Sequence, residues 1–121
     1  MKYLMMTFGS AAEMQETKSK EWISNMFEFM NTFNDGLRER GEWVDGQGLA
    51  DPETATRVDW QDGAPVATDG PYPEAKESVV GYWVIDVEND ERAVELAKEV
   101  VAGIEEGPIE VRRIMDAPPE V

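Results

Sequence analysis

The chain has no cysteine and no histidine. The first absence excludes disulfide staples, thiolate nucleophiles and soft metal sites. The second removes the usual proton carrier at neutral pH and the commonest zinc ligand, so acid–base work would fall to carboxylates, lysine or tyrosine. Basic residues are scarce as well: 11 Lys and Arg stand against 26 Asp and Glu, a formal charge of −15. A surface of that sign repels phosphate backbones, which argues against nucleic acid as a partner. No run approaches the roughly 18 apolar residues of a membrane span. The apolar start at residues 1–8 is too short for the hydrophobic part of a signal peptide. Both shortages point to a cytoplasmic protein without membrane contact.

What is present suffices for one core. The 121 residues are 41% hydrophobic, with seven Met, four Trp, three Tyr and four Phe, which suits a single domain over residues 1–121. Residues 2–8 read as a first strand buried on both faces, ended by Gly9-Ser10. Ser10 and Glu13 fit a capping box that could start a short helical turn. A long helix is expected over residues 19–40, where Trp22, Met26, Phe29, Met30, Phe33 and Leu37 recur at helical spacing and Gly41 can stop the helix. Short strands follow at 42–48 and 54–61. Asp62-Gly63 is a hairpin signal returning through Pro65-Val66-Ala67, and Thr68-Asp69-Gly70-Pro71 turns again. Residues 79–87 form the strongest strand, with Val80, Tyr82 and Val84 on one face and Val79, Trp83, Ile85 and Val87 on the other. Asn89 or Asp90 caps a helix carrying Ala93, Leu96, Ala97, Val100 and Val101 that ends near Gly103, and residues 109–114 close the sheet.

This order is α+β, a ferredoxin-like βαββαβ pattern with an added β-hairpin. Two helices cover one sheet face only, yet the two strands placed centrally are apolar on both. A second copy is the simplest cover, and sheet on sheet gives a dimeric α+β barrel with a pocket at its seam. A monomer whose loops fold over the sheet is the alternative.

Four stretches are more specific. Gly46-Gln47-Gly48-Leu49-Ala50-Asp51-Pro52, Thr54-Ala55-Thr56-Arg57-Val58, Thr68-Asp69-Gly70-Pro71-Tyr72-Pro73-Glu74-Ala75-Lys76-Glu77 and Val80-Gly81-Tyr82-Trp83-Val84-Ile85-Asp86-Val87 resemble the YCII-related proteins, in the branch named for an Asp-Gly-Pro-Phe (DGPF) motif. The terminal Glu110-Val111-Arg112 fits it too. The resemblance implies a dimeric α+β barrel in a bacterial or archaeal cytoplasm, often associated with extracytoplasmic-function sigma factors. Tyr72 replaces the motif's Phe and keeps its aromatic plate. Related proteins have been suggested to use a His-Asp pair, which this chain cannot form.

Asp69 is the candidate catalytic residue, as a carboxylate at a tight turn beside a pocket; the plainer reading is that it bonds the turn's own backbone. Arg57 could clamp a carboxylate or phosphate, or else pair with Asp59 or Glu110. Tyr72, Glu74, Lys76 and Tyr82 complete the candidate ligand-binding set, with solvated charges and core packing as their plainer readings. No metal or cofactor is expected. Gly46-Gln47-Gly48 lacks the third glycine of a dinucleotide loop, and Asp86, Glu88 and Asp90 lack the Gly and closing Glu of a calcium loop. The sequence therefore points to a small-molecule-binding homodimer, open as to whether it is a cofactor-free enzyme. Its rival is a non-catalytic regulatory or interaction module linked to sigma-factor-dependent transcription.

Overall fold

A computed structural model describes residues 1–69 and 74–119. Strands β1 (Lys2–Phe8), β2 (Trp43–Gly48), β5 (Val79–Asp86) and β6 (Ile109–Arg113) form one antiparallel sheet in the order β2-β5-β1-β6. Strands β3 (Arg57–Gln61) and β4 (Ala64–Thr68) pair only with each other, as a separate ribbon. Helices α1 (Ala11–Thr17), α2 (Lys20–Glu39) and α3 (Asp90–Ile104) complete a mixed α+β fold. Leaving α1 and the ribbon aside, the chain runs βαββαβ, with β1 and β5 at the centre.

Alternation along the two central strands decides the layers. Tyr3 and Met5 of β1 and Trp83 and Ile85 of β5 are buried beneath the helices, where they meet Phe33 and Leu37 of α2 and Leu96 and Val100 of α3. Burying a side chain such as Leu37 or Leu96 contributes about 1.5–3 kcal/mol. Trp83 sets its ring edge-on to Phe33, centroids 5.7 Å apart, and donates its Nε1–H to Asn34 Oδ1 at 2.7 Å. The indole is thus both packed and satisfied.

The helix starts follow from local chemistry. Ser10, Ser19 and Asn89 each accept a backbone N–H three residues on, from Glu13, Trp22 and Arg92 at 2.9–3.0 Å. Gly36 stays inside α2, which ends at Glu39 before the left-handed Gly41. The far end of α3 is at Ile104, one residue past the end expected near Gly103. Gly103 is helical, and the left-handed residue that caps the helix is Glu105. A Cβ on Gly103 would lie 2.1 Å from the Phe29 ring, so this glycine serves the approach of α2 to α3.

One strand start moves as well. The strand expected at 54–61 begins at Arg57, because Pro52–Thr54 form a single 3-10 turn in which Thr54 N–H bonds Asp51 O at 2.9 Å. Asp62 and Gly63 both take positive φ, 51° and 80°, the geometry of a tight hairpin whose twist suits its strands. The second half of the turn expected at Thr68-Asp69-Gly70-Pro71, and the Tyr72 candidate with it, lies outside the described residues.

The other face of the sheet carries Leu4, Met6 and Phe8 from β1 and Tyr82 and Val84 from β5, all half-buried. Neither α2 nor α3 reaches it. The ribbon does not cover it, since Val58 and Trp60 remain 66% and 70% exposed.

Candidate functional site

The open face carries a polar pair between β2 and β5, and Glu110 and Arg112 of β6 flank Met6 and Leu4 on its other side. Asp45 of β2 stands opposite Val84, and Tyr82 stands between Gln47 and Met6 in the ladder. The Tyr82 hydroxyl donates to Asp45 Oδ2 at 3.0 Å. That bond, helped by burial, raises the phenol's pKa above its usual value, because losing the proton would set two negative charges side by side. Tyr82 is therefore a neutral donor already engaged, and its oxygen, the second Asp45 oxygen and the nearby Gln47 amide offer acceptors over an apolar floor. Such an arrangement suits a molecule with an apolar body and a hydroxyl or ammonium donor.

The candidates read from the sequence are divided between this feature and other elements. Tyr82 is on it. Arg57 and Asp69 share the base of the ribbon, where Arg57 is in register with Thr68, the residue before Asp69; both are exposed. The ion pairs among the described residues do not join Arg57 to Asp59 or Glu110. Glu74 and Lys76 pair with each other at 3.3 Å, with side chains 73% and 76% exposed, which holds little energy. The strand aromatics do not gather at one place: Tyr3 and Trp83 are in the helix-side core, Tyr82 is on the open face and Trp60 is in solvent.

Sequence reasoning missed Asp45. Its signal was a carboxylate in a short strand beside Gly46, where a β-former is the norm. The glycine has its own cause: a Cβ there would come within 2.7 Å of the Trp43 ring and 3.2 Å of Trp83. Gly46 thus lets Trp43 lie along the sheet, with the Arg38 guanidinium 4.2 Å above its ring.

Two shallow concavities lie at the start of α3. One, of about 440 Å³, is lined by Asp90, Glu91, Val94, Glu95 and Lys98; the other, of about 330 Å³, by Met1, Asn89, Asp90, Glu91 and Arg113. Neither includes a candidate residue. Among the described residues no group of three or more Asp or Glu side chains gathers as a metal site would, and no helix is long and apolar enough to cross a membrane.

A comparison with protein families supports the resemblance at the level of the family. The family model of the YCII-related domain matches residues 1–118. The chain belongs to the YCII-related domain family. No curated protein matches this YCII-related chain.

Proposed function

We propose that this YCII-related domain belongs to the branch named for its Asp-Gly-Pro-Phe motif and works in the cytoplasm as a homodimer that binds a small molecule. In this reading the open sheet faces of two copies pack into an α+β barrel. The Tyr82–Asp45 pair forms part of the pocket floor, Asp69, Arg57, Glu74 and Lys76 lie toward its rim, and Tyr72 is a further ligand-binding candidate on sequence alone. The observation that carries the reading is the open face itself: Leu4, Met6, Phe8 and Val84 stay half-buried where neither α2 nor α3 covers them, a patch that monomers seldom leave in water. The Asp69-Gly70-Pro71-Tyr72 stretch and the βαββαβ order support the branch and the barrel.

An exposed Asp69 and the absence of histidine favour binding over turnover. A binding role is also what a regulatory module linked to sigma-factor-dependent transcription needs, and stoichiometric capture of a sigma factor marks that second reading. The test is a thermal-shift screen against small metabolites carrying a hydroxyl or ammonium donor. A ligand bound only by the native state at 100 times its Kd stabilises by about 2.7 kcal/mol. The expected result is a shift that Tyr82→Phe and Asp69→Asn abolish without lowering the unliganded melting temperature. A shift that both variants retain, or no shift from any such compound, contradicts the site.

A further inference from the structure

Among the described residues, the apolar face of the β3–β4 ribbon is uncovered. Val58 and Trp60 are 66% and 70% exposed, and they share one face with Ala67 and Pro65, their partners across the ladder. That face is apolar throughout, while Arg57, Asp59 and Gln61 hold the other. An isolated two-stranded ribbon is at best marginally stable in water. This one therefore needs a surface to lie on.

Areas indicate which surface. With strands about 4.8 Å apart and rising about 3.3 Å per residue, the open sheet face measures about 400 Å² per copy, or about 800 Å² for a pair. Stable interfaces bury about 1,200–2,000 Å², so paired sheets alone fall short. Each ribbon face is about 160 Å², and two ribbons laid on opposite copies, counting what they cover, add about 650 Å². The sum enters the range of a stable dimer. The ribbon is also well placed, since it joins Gly48 at the end of β2 to Val79 at the start of β5 and so springs from one end of the open sheet. Its apolar face carries no charge, so two chains of formal charge −15 can meet there without added repulsion.

We propose that the β3–β4 ribbon is an arm that lays its Val58, Trp60, Pro65 and Ala67 face on the second copy and clamps the dimer. The proposal rests on the reading that the open sheets pair. Sedimentation equilibrium across a dilution series tests it, on the wild type, Trp60→Ser in the ribbon and Met6→Lys on the sheet face. Trp60→Ser raises the dimer dissociation constant at least about ten-fold and leaves the circular-dichroism spectrum unchanged, because the exposed indole has little packing within its own chain to lose. Val58→Ser acts in the same direction. A dimer that Met6→Lys breaks and both ribbon variants leave unchanged overturns the arm and keeps the paired sheets. A wild type that stays monomeric, or a dimer indifferent to all three substitutions, overturns the sheet pairing as well.

Discussion

Acid unfolding of this protein reports on Glu42. The residue joins α2 to β2, with its N–H on Leu37 O at 2.8 Å and its carbonyl taking Asp86 N–H at 2.9 Å. Its carboxylate, only 13% exposed, accepts from Arg92 Nε and Nη2 at 2.8 and 2.9 Å and from Arg40 Nε at 2.7 Å. The Arg92 hydrogen bonds, against the opposing effect of burial, hold its pKa down from 4.5 to about 2. A depressed acid stabilises the fold fully above its unfolded value and loses that contribution as the pH falls through its folded one. The gap sets a ceiling of about 3 kcal/mol. Water around Arg92 and Arg40, whose side chains are 26% and 45% exposed, brings the expected figure to about 2 kcal/mol. Urea unfolding of the wild type and Glu42→Gln measures it. The variant is less stable by about 2 kcal/mol at neutral pH, and the difference closes between about pH 4.5 and pH 2. A difference that is the same at pH 7 and pH 2, or absent at pH 7, refutes the reasoning.

Three other substitutions probe the frame. Gly103→Ala drives a methyl into the Phe29 ring and costs about 1–3 kcal/mol, read as a lower melting temperature; an unchanged midpoint would mean that α2 and α3 separate freely. Trp83→Phe leaves Asn34 Oδ1 without its donor and costs about 1–3 kcal/mol in urea unfolding, whereas a neutral result would place water at Asn34. Asn89→Ala removes the α3 cap and costs about 1 kcal/mol; no loss of stability would show that Asn89 does not set the start of that helix.

The features legible in the sequence were those fixed by neighbours in the chain. Ser10, Ser19 and Asn89 cap what they precede, Asp62-Gly63 turns the ribbon, and alternation in β1 and β5 separates Met5 and Trp83 from Met6 and Tyr82. Features fixed by distant residues were not legible. Gly103 looks like a helix stop and is a contact glycine, because Phe29 lies 74 residues earlier in the chain. Glu42 finds Arg92 across 50 residues, and no local pattern pairs them. The same holds at the candidate site. Tyr82 was marked by its strand, but its partner Asp45 comes from β2, 37 residues away. Arg57 and Asp69 came together at the ribbon's base because a hairpin keeps near neighbours near, while the ribbon's separation from the sheet depended on tertiary packing that its own residues do not encode.

The central claim is that the sheet face bearing Leu4, Met6, Tyr82 and Val84 is covered by a second copy. Multi-angle light scattering on the eluting protein tests it most directly. The account predicts a particle of twice 13.6 kDa; a particle of 13.6 kDa at micromolar concentration contradicts it.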